Sequence, residues 1–312
     1  MKKQKIEIKQ PYTLDEGYDE FIYSCKVRNL RQSTIKCYDE RMKTIYKFIN
    51  PKTPIKNLNK STVDGFILFM HNELNIAEIT MNTYLRALRT IFYYFMRMGY
   101  MEEFKISELK FDKPIIELYT EQEIKILLKK PNKSKCNFST FRNWVICNVL
   151  YATGMRCANI LNLQNKDVDL QNNLLYLRTT KNRKPLVLPI CKTLQGILKE
   201  YMRIRKGNED DYTFCSCYGN KMTRNSISSA MRQYNHSRGI IKTGIHRWRH
   251  SFTSAYIRNH GDICKLQKIL NHSTLEMTQN YVHLFTSDLQ ADMEEHNPLE
   301  QIVKGSKHIK IK

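Results

Sequence analysis

Residues 246–284 read HRWRHSFTSAYIRNHGDICKLQKILNHSTLEMTQNYVHL, and they carry the most specific pattern in the chain. The segment sets His246, Arg249, His272 and Tyr281 in one ordered array. His246 and Arg249 are three positions apart, a spacing that places both side chains on one face of a helix. The histidines and the arginine can bind a phosphate, and the tyrosine hydroxyl can attack one. The array therefore predicts chemistry on a phosphodiester.

The charge balance points to a polyanionic partner. Lys and Arg total 51 against 30 Asp and Glu, a formal net charge of +21. Such an excess attracts nucleic acid through counterion release and steering, independently of sequence. A membrane surface is a weaker alternative, and charge alone leaves an uninvolved basic surface open. With 312 residues, 41% of them hydrophobic, the chain has room for two domains with ordinary cores.

Several classes of protein are excluded by simple counts. The first residues, MKKQKIEIKQ, lack the apolar stretch of a secretory signal, and no apolar run is long enough to span a membrane. We therefore expect a cytoplasmic protein with no membrane contact. Cys215 and Cys217 are too close in sequence to form a zinc-binding pair, and the sequence has no second cysteine pair that would complete such a site. The nine cysteines predict free, mostly buried thiols, with no metal and no disulfide.

The first third of the chain is predicted to be helical throughout. Apolar residues recur at helical spacing from residue 13 to about residue 110. The first helix is predicted to start at a capping box, Thr13–Glu16, and the second at Ser33. The third is predicted to be capped by Ser61, and the fourth to run from about Ile79 to Met98. The fourth also carries polar residues and arginines: Thr80, Asn82, Thr83, Arg86, Arg89 and Arg97. A helix that lies in a DNA groove and a solvated basic face are both compatible with that pattern.

The remainder is predicted to be mainly helical with a small β-sheet. Residues 110–114, KFDKP, lack periodicity and predict a linker. A second capping box follows at Thr120–Glu123, and an apolar helix from Phe141 to Ala152 ends at Gly154. Two β-rich runs, 173–179 and 185–190, flank a basic turn and predict a hairpin. Helical periodicity returns from Thr193 onward.

The array, together with Arg156 in the segment ATGMRCAN at 152–159, resembles the tyrosine recombinases. This family includes phage integrases, transposon integrases and Xer-type resolvases. The resemblance implies a helical, SAM-like core-binding domain at residues 1–112, an α-rich catalytic domain at residues 113–295, and a basic tail at residues 296–312. It is specific in the catalytic part and only architectural before residue 110.

The resemblance also implies roles for individual residues. Arg156 and Arg249 would clamp the scissile phosphate, and His246 would hydrogen-bond it and assist proton transfer. His272 would donate a hydrogen bond to a phosphate oxygen, and Tyr281 would be the nucleophile. Lys181, in the hairpin turn, would be the general acid, with Arg183 and Lys184 as alternatives.

Two neighbours of the array and one departure from the family pattern accompany these roles. We expect His250 to be structural and Arg247 to be exposed near DNA. The family has Glu or Asp three residues after its first arginine, where this chain has Asn159. No carboxylate cluster for Mg²⁺ accompanies the array, so cationic side chains must neutralise the phosphate, and no metal, cofactor or ATP is expected.

The activity implied is site-specific recombination through a 3′-phosphotyrosyl intermediate. The implied assembly is a homotetramer on two DNA duplexes with inverted-repeat core sites, with accessory directionality or DNA-bending proteins as further partners. The residues after Phe285 would contact a neighbouring protomer. Two alternatives stay open: a type IB topoisomerase, and an inactive DNA-binding relative, which only Asn159 favours.

Overall fold

The computed structural model describes residues 13–112, 117–178 and 185–272. They belong to two compact units, Met1–Pro114 and Ile115–Lys312. Lys181, Tyr281 and the predicted tail contact lie outside the described residues. No helix within the described ranges is both long enough and apolar enough to cross a membrane.

The first unit is helical, as predicted. Its described residues form four α-helices: α1 (Leu14–Val27), α2 (Gln32–Phe48), α3 (Lys60–Asn72) and α4 (Glu78–Arg97). A short 3₁₀ helix, Ile55–Asn57, precedes α3. The capping box at the start of α1 is confirmed: the backbone N–H of Thr13 donates to the Glu16 carboxylate at 3.2 Å. The apolar faces of all four helices meet in one core around Phe21, Phe66 and Phe92.

The prediction that Ser61 caps the third helix is wrong by two positions. The N-cap of α3 is Asn59, whose side-chain oxygen accepts from the backbone N–H of Thr62 at 3.1 Å. The Thr62 hydroxyl accepts in return from the backbone N–H of Asn59 at 3.3 Å. Asn and Ser are comparable caps, and Asn59 prevails because Thr62 at the third helical position completes a reciprocal pair.

The second unit is built around one buried helix. The described helices are α5 (Glu121–Leu128), α6 (Phe138–Thr153), α7 (Cys157–Asn162), α8 (Lys192–Arg205), α9 (Arg224–His236), α10 (Ile245–Arg258) and α11 (Ile263–Leu270). The predicted capping box of α5 is confirmed, with Thr120 and Glu123 bonding each other's backbone N–H. Helix α6 buries residues on every side and packs against α5, α8, α9 and α10. It is therefore the centre on which the other helices assemble.

The predicted hairpin is confirmed. Among the described residues, strands β1 (Val168–Asp169), β2 (Leu174–Leu177) and β3 (Leu186–Pro189) form an antiparallel sheet in that order. Leu175 pairs with Leu188, and both are buried, which fixes the register. β1 was not predicted because two residues are too few for a periodic signal. Asp167 is buried ahead of β1 and accepts from Arg178 Nε at 2.5 Å.

The cysteines are less buried than predicted. Four of the nine are buried, two are partly buried and three are exposed. The exposed ones occupy the start of α8, a turn and the first turn of α11: Cys191, Cys217 and Cys264.

Candidate active site

The first turn of α10 carries two of the predicted site residues. Its N-cap, Gly244, has φ +118°, a conformation that side chains rarely adopt. His246 and Arg249 lie one turn apart on α10, as their spacing predicts. The helix is anchored by Trp248, which is 1% exposed and lies 4.8 Å from the Tyr119 ring between centroids. Because Trp248 fixes the rotation of α10, the direction of its neighbours is fixed as well.

The turn between α6 and α7 delivers Arg156 to the same place. Gly154 ends α6 in the left-handed conformation, with φ +60°. A Cβ at this position would lie 2.4 Å from a Phe252 ring carbon and 2.8 Å from a Leu270 methyl. Glycine is therefore required twice, by its backbone angle and by the close approach of α10 and α11. Arg156 follows two residues later as the N-cap of α7.

The two arginines converge on the end of α11. Arg249 donates from Nη1 to the Gly154 carbonyl and from Nη2 to the Leu270 carbonyl, both at 2.8 Å. Arg156 donates to the Leu270 carbonyl at 3.2 Å and to the Asn271 carbonyl at 3.2 and 3.3 Å. The last carbonyls of a helix lack partners within the helix and lie at its negative end, so they hold cations well. These bonds bring two guanidinium groups together around one carbonyl.

The histidines complete a cationic cluster. His272 directly follows Asn271, the left-handed C-cap of α11. Burial, and then the charges of Arg249 and Arg156, lower the pKa of His272 to about 4. Partial desolvation, followed by the charges of Arg224, Arg249 and Arg156, lowers the pKa of His246. Four of the six predicted catalytic residues therefore lie within electrostatic range of one another, and both histidines are neutral at pH 7.

Burial and neighbouring cations set the electrostatics of this cluster. Desolvation lowers the pKa values of Arg156, His246 and His272, and the charges of nearby arginines lower those of the two histidines further. Asn159 is buried in α7, where its backbone N–H donates to the Arg156 carbonyl at 2.9 Å, and its amide brings no charge. Nor do the described residues hold three His, Cys, Asp or Glu side chains placed for a metal ion. The arrangement is suited to binding an oxyanion.

One cation near the site was not predicted from sequence. Arg224 is exposed in the first turn of α9. Desolvation and then the charge of Arg224 lower the pKa of His246, whereas burial raises the pKa of Cys157 and the charge of Arg224 offsets part of that rise. The capping residues Thr223 and Ser226 mark a helix start in the sequence, but only the tertiary fold brings that start near α10.

The expected exposure of Arg247 is wrong. Its side chain is 22% exposed and donates to the Glu117 carbonyl at 2.7 Å and to the Glu117 carboxylate at 3.0 Å. The start of the second unit covers this side of α10, which the sequence pattern of the helix does not reveal. His250, expected to be structural, is partly buried, and burial lowers its pKa.

An oxyanion should raise the pKa of His272 from about 4. A bound anion favours the protonated imidazole, so the affinity for the anion should rise as the pH falls toward that pKa. The measurement is an NMR titration of the histidine resonances with and without inorganic phosphate. If phosphate does not change the pKa of His272, the result contradicts an anion site at this position.

Comparisons with known proteins agree on one family. The profile described as Phage integrase family matches residues 117–288, and that described as Phage integrase SAM-like domain matches residues 14–111. The tyrosine recombinase XerD of Listeria monocytogenes is 26% identical over 278 residues, which cover 82% of this chain and 90% of that protein. The tyrosine recombinase XerA of Pyrococcus furiosus is 28% identical over 230 residues, covering 72% and 77%.

The fold is similar to that of a solved integrase. The Tn1549 transposon integrase in complex with a circular intermediate DNA superposes with a TM-score of 0.76 at 20% identity. The match covers 91% of this chain and all of that one. The predicted fold class, a helical SAM-like unit and an α-rich unit with a small sheet, is thereby confirmed.

Proposed function

Because this chain belongs to the phage integrase family of tyrosine recombinases, we propose that it is a site-specific recombinase whose cationic cluster binds the scissile phosphate of DNA. The observation that carries the proposal is the convergence of Arg156 and Arg249 on the Leu270 carbonyl beside His272. Guanidinium groups are permanently charged and bond two oxygens of a phosphate at once. Two of them can neutralise the charge that builds on the non-bridging oxygens during attack at phosphorus.

The histidines suit complementary roles in this reaction. With its pKa near 4, His272 is a neutral imidazole at pH 7 and can donate one N–H to a non-bridging oxygen. His246, whose pKa is lowered by its surroundings, is neutral as well and can accept a proton. We assign it the proton of the attacking phenol.

Tyr281 is the proposed nucleophile. A bond forms between its phenolic oxygen and the phosphorus, and the bond from phosphorus to the 5′-oxygen breaks. The 5′-oxygen leaves as a hydroxyl with a proton from Lys181, and the 3′-phosphate stays on the tyrosine. An unperturbed tyrosine has a pKa of about 10 and is protonated at neutral pH, so proton removal and nearby cations are both needed. A 5′-hydroxyl of the partner strand reverses the step, which conserves the bond energy and requires no ATP.

Double-stranded DNA is the partner of this chemistry, and the finer assembly is part of the proposal. We propose a homotetramer on two duplexes with inverted-repeat core sites, assisted by accessory DNA-bending or directionality proteins. Residues 1–112 would form the core-binding domain, residues 113–295 the catalytic domain and residues 296–312 a basic tail. The division into Met1–Pro114 and Ile115–Lys312 supports the first boundary.

A nicked suicide substrate tests the activity. After cleavage, the short fragment that carries the free 5′-hydroxyl diffuses away, so the reverse reaction is lost. A recombinase therefore accumulates a covalent DNA adduct and then joins it to a second duplex. A topoisomerase-like enzyme would form the adduct but relax supercoils without exchanging strands between duplexes. An inactive DNA-binding relative would form no adduct. The named relatives are recombinases, which favours the first outcome.

Lys181→Ala should separate binding from cleavage. The loss of one cation among many leaves DNA affinity nearly unchanged, while the loss of a general acid lowers the cleavage rate by about 10²–10⁴-fold. A 5′-phosphorothiolate substrate should restore the rate, because its sulfur leaves without protonation. Lys184→Ala, which removes the other lysine of the predicted turn, is the matched control. If the phosphorothiolate substrate restored cleavage by Lys184→Ala and not by Lys181→Ala, Lys184 would be the general acid.

Truncation after residue 285 should damage assembly and spare binding. Leu289, Met293 and Leu299 supply apolar positions with which the segment could dock on a neighbouring protomer. Gel-shift titration should show one protomer binding one half-site normally, while the complex of two duplexes is lost. Strand exchange at the full-length rate by the truncated protein would contradict the docking.

A further inference from the structure

Two arginines of α4 share a single carboxylate. Arg86 donates from Nε at 2.9 Å and from Nη2 at 2.6 Å to one oxygen of Glu108. Arg89, one turn later, donates from Nη2 to the other oxygen at 3.1 Å. The hydrogen bonds from Arg86, and secondarily those from Arg89, hold the pKa of the Glu108 carboxyl below its usual range. The three side chains together remain one unit positive, so DNA phosphates are still attracted.

Glu108 is held in place by the backbone beside it. Asn82 of α4 is 1% exposed and bonds both backbone groups of Leu109, donating to its carbonyl at 2.9 Å and accepting from its N–H at 2.8 Å. The Ile106 N–H donates to the Tyr93 hydroxyl at 3.2 Å. An exposed ion pair ordinarily contributes little because two long side chains must be ordered. Here Glu108 belongs to a segment whose backbone is already hydrogen-bonded to α4, so less of its freedom is lost when the ion pair forms.

One edge of the Arg86 guanidinium group bonds Glu108, and the other edge is suited to bonding a DNA base. A guanidinium group has five N–H donors, and Glu108 occupies the Nε–Nη2 edge. The Nη1–Nη2 edge has the spacing that bonds the O6 and N7 acceptors of guanine together. A buttressed arginine has already lost much of its side-chain freedom, so this contact costs less entropy to form.

The surroundings of Arg86 fit the edge of a DNA base and its phosphates better than a metal ion. A groove of about 250 Å³ between α2 and α4 is lined by Thr34, Cys37, Tyr38, Arg41, Thr83, Arg86, Ala87 and Thr90. Its lining combines two arginines with four hydroxyl groups and includes no Asp or Glu. Side chains of these types hydrogen-bond phosphates and base edges in the major groove.

We propose that Arg86 reads a guanine in the major groove of the recombination site, and that Glu108 is the positioning residue that holds Arg86 for this contact. The proposal rests on the proposed function and adds to it a determinant of sequence specificity. Asn82 acts one step further back, since it fixes the backbone that carries Glu108.

The test is selection of DNA from a library of randomised duplexes by the full-length protein, followed by affinity measurements on the selected duplex with each base pair changed in turn. The variants are Arg86→Lys and Glu108→Gln. Glu102→Gln, an exposed acid of the same segment, is the charge-matched control. Arg86→Lys keeps the charge but loses the two-pronged contact, so it separates base reading from attraction to phosphate.

The wild type should prefer guanine at one position of each half-site. Arg86→Lys should lose that preference, roughly 5- to 150-fold, with other positions and the salt dependence unchanged. Glu108→Gln should weaken the same preference, and Glu102→Gln should not. An unchanged preference in Arg86→Lys overturns the proposal. A Glu108→Gln protein that binds all duplexes more tightly with full preference shows that Glu108 only masks charge. Failure of the wild type to select any sequence overturns site-specific recombination as well.

Discussion

Tyr281→Phe should bind site DNA with wild-type affinity and form no covalent adduct. The substitution removes only the phenolic oxygen, so it keeps the ring and changes no charge. The steep salt dependence of binding comes from Lys and Arg contacts to phosphates and should survive. Cleavage should fall below detection, because the lost oxygen is the atom that bonds phosphorus. The measurement is denaturing gel electrophoresis of protein incubated with labelled suicide substrate.

A matched tyrosine controls for the substitution itself. Tyr218 lies in the same unit and is 87% exposed, and Tyr218→Phe should form adduct at the wild-type rate. An adduct that persists in Tyr281→Phe, or a wild type that never forms one, contradicts the assignment of the nucleophile. Loss of DNA binding by Tyr281→Phe would instead indicate a structural role for the hydroxyl.

The sequence predicts those parts of the site that depend on local spacing. His246 and Arg249 share a face because three residues make nearly one helical turn, and Gly154 marks the end of α6 because few other residues adopt its backbone angle. The same rules predict the capping boxes at Thr13 and Thr120. Where two good caps compete, as Asn59 and Ser61 do, local rules do not choose between them.

The parts that escape prediction depend on backbone groups and on distant contacts. The Leu270 carbonyl gathers both arginines, yet a carbonyl is common to every residue and leaves no signal in the sequence. Arg156 is separated from Leu270 by 114 positions, so its contact follows only from the assembled helices. The pairing of Arg247 with Glu117 escapes for the same reason.

Arg249→Lys should impair both catalysis and stability, and Arg156→Lys mainly catalysis. Lysine keeps the charge but presents a single nitrogen, which cannot span the Gly154 and Leu270 carbonyls as Arg249 does at 2.8 Å. The loss of a preorganised donor lowers the rate of adduct formation by about 10²–10³-fold in either variant. Arg249 is also 7% exposed, and a buried carbonyl left unbonded costs about 1–3 kcal/mol.

The two variants should therefore differ in thermal denaturation more than in cleavage. Arg156 makes longer bonds, at 3.2 and 3.3 Å, and is less buried, so its carbonyl partners lose less when it is replaced. Arg258→Lys, the same change near the end of α10, is the control and should cleave normally. Equal losses of stability in both site variants would contradict a structural role specific to Arg249. A normal rate of adduct formation in Arg249→Lys would remove this arginine from the phosphate clamp.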